Sequence, residues 1–168
     1  MYEEYGMEIK RFVLSAISVN SYVLIKGDKA VVIDVGLEPQ DLLSFLEERK
    51  LKLQAVLITH GHFDHTGGLD ELLAKYPAPV YIHELEMTWL TDPALNGSSH
   101  FPFFGDVRLA SQAEGLHGDS KLKVGDFVFD VIHTPGHSPG GLTYKIDDYL
   151  FTGDTLFKES IGRTDFTG

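Results

Sequence analysis

Residues 59–68 read Thr59-His60-Gly61-His62-Phe63-Asp64-His65-Thr66-Gly67-Gly68, which places three imidazoles and a carboxylate within six positions. The preceding Gln54–Thr59 (QAVLIT) is too short and too uniformly apolar for a surface helix and reads as a buried strand. The histidines therefore emerge at a strand's C-terminal end. Alternate residues of an extended chain point alike, so His60 and His62 can converge on one ion. Asp64 and His65, past the bend, face a second position. Gly61, Gly67 and Gly68 let the backbone bend tightly without Cβ clashes. The chain has eight histidines in 168 residues. A chance HxHxDH in such a chain has odds of roughly one in several hundred.

Two later segments fit the same site. Thr134-Pro135-Gly136-His137-Ser138-Pro139-Gly140-Gly141 sets one histidine in a Gly/Pro turn after a strand, and Phe151-Thr152-Gly153-Asp154-Thr155 sets one aspartate after a strand. Histidine supplies neutral nitrogens to borderline metals such as zinc, and a carboxylate has two oxygens with which to bridge two cations. Each segment alone is a weak signal; the three together are a strong one.

HGHFDH, TPGHSPGG and TGDTLF, in that order, resemble the metallo-β-lactamase fold superfamily over nearly the whole chain. Within it, TGDTLFKESIGRTDF looks like the single-domain glyoxalase II-type hydrolases and, more distantly, the persulfide dioxygenases. The resemblance implies an α/β (α+β) fold, a four-layer αββα sandwich spanning residues 1–168 as one domain, with metals at one edge. Carried over residue by residue, His60, His62 and His137 match a first metal site. Asp64 and His65 match a second, with Asp154 bridging. Asp64 also matches the catalytic residue that orients the attacking hydroxide. The implied cofactors are two divalent cations, zinc first, with iron or manganese as alternatives. Two cations about 3.5–4 Å apart lower the pKa of a bound water from 15.7 to near 7. The implied reaction is hydrolysis of a thioester such as S-lactoylglutathione by a metal-bound hydroxide. Arg163 matches a position where glyoxalase II-like enzymes place a basic residue for the glutathione carboxylate, with an ion pair to Asp165 as the structural alternative. The aspartate bridge sets the resemblance apart from the true lactamases. One alternative is a mononuclear-iron persulfide dioxygenase using His60, His137 and Asp154; another is a non-catalytic metal-binding fragment.

The chain departs from the family pattern after GRTDF, where relatives supply further elements and a final histidine. No histidine follows Asp154. The expectation is a C-terminally incomplete sandwich whose second site has at most Asp64, His65 and Asp154, with reduced occupancy there. An incomplete layer exposes sheet edge, which favours a homo-oligomer.

Away from these motifs, residues 7–14, 22–26 and 29–34 read as strands separated by the turn signals Val19-Asn20-Ser21 and Gly27-Asp28. Glu38–Lys50 spaces Leu42, Leu43, Phe45 and Leu46 as an amphipathic helix, with Pro39 in its first turn. A helix over Leu69–Lys75, a strand over Pro79–His83 and a short helix over Glu84–Leu90 follow. Thr91–Gly105 reads as a long loop with an apolar tip. Strands at 121–124 and 127–133 and a hairpin turning at Asp147-Asp148 complete the chain. Phe101, Phe103 and Phe104 either cover a substrate or anchor their loop. His83 and His133 read as structural, His100 and His117 as solvated, and Asp34 as a supporting or turn-forming residue.

Composition narrows the partners. Apolar residues make up 43% and charged residues 23%, as in an ordinary globule. The net charge of −11 repels phosphate backbones and anionic lipid. A small-molecule partner is expected, with no nucleic acid and no membrane. With no cysteine, thiolate ligands and a Cys nucleophile are excluded. The N-terminus MYEEYGMEIKR lacks the basic and apolar regions of a signal peptide, and cytoplasmic residence is the simplest expectation.

Overall fold

The structure, a computed structural model, describes residues 2–4, 6–154, 156–157 and 160–161, with side chains described for residues 6–154. In chain order the strands and helices are β1 (Tyr2–Glu4), β2 (Met7–Leu14), β3 (Val19–Lys26), β4 (Lys29–Ile33), α1 (Gln40–Glu48), β5 (Lys52–Leu57), α2 (Phe63–Thr66), α3 (Leu69–Lys75) and β6 (Val80–His83). A 3-10 helix (Glu84–Leu90) leads to α4 (Pro93–Asn96). Then come β7 (Glu114–Leu116), β8 (Ser120–Val124), β9 (Phe127–His133), β10 (Leu142–Ile146), β11 (Tyr149–Phe151), β12 (Leu156–Phe157) and β13 (Ser160–Ile161).

β1 to β7 form one sheet in sequence order. It is antiparallel through β4 and parallel from β4 to β7. β11-β10-β9-β8 form a second, antiparallel sheet, and β12 pairs with β13. Alternation sorts the side chains into two cores. Val23, Ile25, Val32, Val56 and Ile58 meet Leu42 and Leu46 of α1 and Leu69 and Leu72 of α3. On the opposite face Leu24, Val31, Ile33, Ala55 and Leu57 meet Phe127, Phe129, Val131 and Tyr144 of the second sheet. Among the described residues the chain is layered helix, sheet, sheet, which is the α/β fold that the resemblance implied but three of its four layers, with no helix on the outer face of the second sheet. With both faces covered, β4 and β5 read as continuous apolar runs, and each fully buried Val or Leu there contributes about 1.5–3 kcal/mol.

Several boundaries differ from the sequence reading. Val19-Asn20-Ser21 is paired strand, and the turn falls earlier, where Ser15 and Ser18 take left-handed φ of 64° and 53°. Helix α1 begins at Gln40, with Pro39 as its N-cap rather than in its first turn. β5 stops at Leu57 because the Thr59 N–H is taken by the Asp34 carboxylate and not by a neighbouring strand. The stretch at 91–105 is only partly loop. Asp92 accepts from Ala94 N and Leu95 N to cap α4, and Gly97 ends it at φ 86°. The short strands β1, β7, β12 and β13 are additions to the sequence reading.

Candidate metal centre

Topology brings the motifs to one edge. β4 and β5 are parallel, so Asp34 and the segment from Ile58 to His60 leave the sheet side by side. In the antiparallel second sheet, residues 134–141 link β9 to β10, and β11 pairs with β10 so that Asp154 follows at the same end. The sheets are tied there, since Leu142 N–H donates to Thr59 O and the Tyr144 hydroxyl donates to Ile58 O, both at 2.7 Å. After His62 the chain makes the single turn of α2, with His65 N–H donating to His62 O at 3.0 Å. Gly68 is required for space: a Cβ there would lie 2.2 Å from Gly36 O.

The result is two overlapping groups of donor atoms, His60, His62 and His137, and His60, His65 and Asp154, each lying within 4.8 Å of one another. His62 Nδ1 stands 3.1 Å from His137 Nε2. Asp154 presents one oxygen to each group: Oδ1 is 3.1 Å from His65 Nε2, and Oδ2 is 3.3 Å from His137 Nε2 and 3.6 Å from His60 Nε2. Asp64 sits at the rim, its Oδ2 3.8 Å from His65 Nε2. A cleft of about 410 Å³ lies against this half, with Asn20, Tyr22, Asp64, His65, Thr152 and Asp154 in its walls.

Asp34 orients the group from beneath. Its carboxylate accepts from Thr59 N (2.8 Å), from Thr59 Oγ1 (2.7 Å) and from His65 Nδ1 (2.8 Å). The His65 Nε2 is thereby turned toward Asp154. The Thr59 hydroxyl, having donated to Asp34, is left to accept from His60 Nδ1 at 3.0 Å. This leaves His60 Nε2 as the lone-pair nitrogen, and among the described residues it is buried with no hydrogen-bond partner. Such an orphaned atom has a high cost unless something binds it. Two nitrogens about 2.0–2.1 Å from one tetrahedral zinc stand roughly 3.3 Å apart, close to the separation of the His62 and His137 nitrogens. The residues present therefore fit a bound cation.

The two groups differ in charge. Burial, and then the neighbouring imidazoles of His60, His137 and His65, push His62 down to about 2, so it stands neutral with a lone pair to offer. Burial alone would lower His65. The Asp34, Asp154 and Asp64 carboxylates outweigh that and hold it well above the ordinary 6.5. Burial would raise Asp154, but the imidazoles of His137, His60 and His65 keep it ionised far below the usual carboxylate range.

The structure thus brings together His60, His62, Asp64, His65, His137 and Asp154. Arg163 lies outside the described residues. His83 and His133 are held elsewhere: His83 accepts from Leu85 N–H, its ring lies 4.5 Å from that of His133, and His133 Nε2 is 2.8 Å from Pro139 O. His117 pairs with Glu84 at 3.0 Å. Phe101 and Phe104 pack on Phe63, whereas Phe103 is 88% exposed. The residue that sequence reasoning missed is Glu86, fully buried and bonded to both histidine loops. Its one signal is spacing, a carboxylate three residues before Trp89 on the buried side of a short helix.

Residues 14–168 match the model of the metallo-beta-lactamase superfamily, and the chain belongs to that superfamily. Among curated proteins it is 40% identical over 165 residues to the probable metallo-hydrolase YqgX of Bacillus subtilis (strain 168), a match spanning 96% of this chain and 77% of the relative. It is 38% identical over 144 residues to the hydroxyacylglutathione hydrolase of Hahella chejuensis, spanning 82% of this chain and 46% of that one. Among solved structures, BLEG-1 B3 metallo-beta-lactamase superposes with a TM-score of 0.90 at 42% identity, covering 96% of this chain and 78% of the other. TTHA1623 in a di-iron-bound form superposes at 0.79 with 31% identity, covering 95% and 78%. No helix among the described residues is long and apolar enough to cross a membrane.

Proposed function

We propose that this chain is a metal-dependent hydrolase, that His60, His62 and His137 hold one divalent cation, that His65, Asp154 and Asp64 serve a second, and that the bond broken is a thioester. The observation that carries the two-cation reading is Asp154, which turns one oxygen to each donor group. When bound, two divalent cations bring the pKa of water from 15.7 to near 7 and stabilise a developing oxyanion. The chain's own residues do the rest. Neutral His62 offers its nitrogen, Asp34 fixes His65, and Asp64 accepts a hydrogen bond from the attacking water and aims it at the acyl carbon in the cleft.

Thioester cleavage forms one C–O bond and breaks one C–S bond. A thiol with a pKa of about 8.5 departs as thiolate without help from a proton donor. The likeness to a hydroxyacylglutathione hydrolase supports this substrate class, as does the TGDTLFKESIG segment. Zinc is the first choice of metal, and the di-iron form of a relative keeps iron beside it. Arg163 is proposed for the thiol's carboxylate, and the −11 charge supports a small-molecule partner over nucleic acid. Opening of a β-lactam ring is the second reading, favoured by the likeness to BLEG-1.

The test is elemental analysis of protein purified without chelator, with S-lactoylglutathione and a chromogenic cephalosporin assayed on the same sample. Metal-dependent release of thiol, lost on chelation, is the expected result. Lactam opening without thiol release would replace the thioester by the second reading. Oxygen uptake on glutathione persulfide would overturn hydrolysis altogether.

A further inference from the structure

We propose that Glu86 is a positioning residue that sets the spacing between the two histidine loops and so the geometry of the first donor group. It rests on the metal centre proposed above and not on the choice of substrate. Glu86 is fully buried in the 3-10 helix. Among the described residues no lysine or arginine forms a salt bridge with it, so its neighbours must satisfy a buried carboxylate. They are two backbone amides, one from each loop. Gly61 N–H, between His60 and His62, donates to Oε2 at 2.7 Å, and Gly140 N–H, three residues past His137, donates to Oε1 at 3.0 Å. A single side chain therefore spans loops that are 75 residues apart at His62 and His137.

Both donors are glycines for reasons of space. A Cβ on Gly140 would lie 2.8 Å from Glu86 Cγ and 3.0 Å from its Cδ, and one on Gly61 would lie 2.9 Å from Trp89 Cβ. The amides approach the carboxylate because neither carries a side chain. Trp89, one turn further along the same helix, packs its ring 5.4 Å from that of His62. The helix thus grips His62 through its ring and through the preceding amide. Two further ties, Leu142 N–H to Thr59 O and the Tyr144 hydroxyl to Ile58 O, lie at the strand ends. Glu86 is the tie on the loop side, where His62 Nδ1 and His137 Nε2 are held 3.1 Å apart.

In Glu86→Gln one oxygen becomes an amide nitrogen, which cannot accept, so one loop loses its tether while the volume stays the same. The experiment is Co²⁺ titration of the metal-free full chain, following the visible ligand-field spectrum, alongside kcat and KM for thioester hydrolysis. We expect the affinity for the first Co²⁺ to fall roughly 10–100-fold, as for other partners that orient metal ligands, with an altered spectrum and a lower kcat at nearly unchanged KM. Gly140→Ala pushes on the same carboxylate from the opposite side and should alter the spectrum in the same sense, which keeps the test open if Glu86→Gln folds poorly. Glu84→Gln, on the exposed side and paired with His117, should leave spectrum and affinity unchanged. A Glu86→Gln spectrum and affinity superimposable on wild type, with only thermal stability lowered, would reduce Glu86 to a structural filler. Co²⁺ binding unaffected by His62→Ala would instead sink the metal centre itself, a separate failure.

Discussion

Two irregular stretches of this chain are shaped by carboxylates that accept backbone N–H groups, and they differ in what the carboxylates hold. In the turn from Ile58 to Thr66 the acceptors are Asp34 and Glu86, 2% and 0% exposed, and the groups they hold lie beside or on histidines. Past α4, the acceptor is the partly exposed Asp70, which takes Ala110 N and Ser111 N at 2.9 Å together with the Ser111 hydroxyl. The first arrangement orients histidine nitrogens; the second pins a loop. A buried carboxylate is tolerated only when its hydrogen bonds are complete, so the turn is held where its N–H groups meet Asp34 and Glu86, whereas Asp70 stays partly open to solvent. Rigidity is thus concentrated where donor atoms must converge.

The comparison breaks most completely at the histidines. His62→Ala removes the neutral donor of the first group, and kcat/KM should fall by more than the roughly 100-fold that marks the upper end for losing a supporting partner. Elemental analysis should show the loss of about one cation per chain relative to wild type. Full metal content with wild-type turnover would separate the histidine cluster from function.

Asp34→Asn comes next. It keeps the shape but leaves fewer acceptors for Thr59 N, Thr59 Oγ1 and His65 Nδ1. Affinity for the second cation should drop about 10–100-fold while the first is affected less, which stepwise Co²⁺ titration would resolve. Equal losses at both groups would mean that Asp34 supports the edge as a whole and not one half of it.

These two residues also show what could be read in the sequence. His60, His62, His65, His137 and Asp154 stand out because each sits in a short motif at the end of an apolar run, and local pattern is what a sequence displays. The strands behind them are legible for the same reason: burial on both faces leaves unbroken apolar segments at β4 and β5. Asp34 and Glu86 act through partners 25 to 54 residues away, and no local period announces such contacts. Asp34 does stand at the end of a buried strand, a local cue. Glu86 resembles any solvated glutamate until the 3-10 helix is seen to turn it inward. The strands β1 and β7, three residues each, carry too little alternation to register, and the turn at 15–18 was displaced because Val19-Asn20-Ser21 has turn-like composition but strand pairing.

Phe103→Ala sharpens the contrast from the outer loop. Phe101 and Phe104 are spent on Phe63, while Phe103 is 88% exposed. Truncating it should change folding stability by no more than about 0.5 kcal/mol. If the aromatic covers an acyl group during turnover, KM should rise several-fold with kcat and metal content unchanged, and steady-state kinetics would show this. An unchanged KM would assign the whole aromatic cluster to anchoring.

The smallest effect belongs to Asp70→Asn, which should leave metal binding and turnover as they are. Burial by itself would raise the Asp70 pKa, but the Ser111 hydroxyl and the amides of Ala110 and Ser111 outweigh it and lower it from 3.8. The unfolded chain then binds this proton more readily than the folded one, so stability rises with pH across the interval between the folded value and 3.8. The tether's contribution is fully present above 3.8 and is lost as pH falls through the folded value. For a partly exposed carboxylate holding two amides that contribution is about 1 kcal/mol. Thermal or urea unfolding of the two proteins should therefore differ by about that much at pH 7 and converge in acid. A gap that persisted unchanged into acid would show that the asparagine perturbs packing rather than charge, and a loss of turnover at neutral pH would mean that the outer loop is coupled to the donor edge after all.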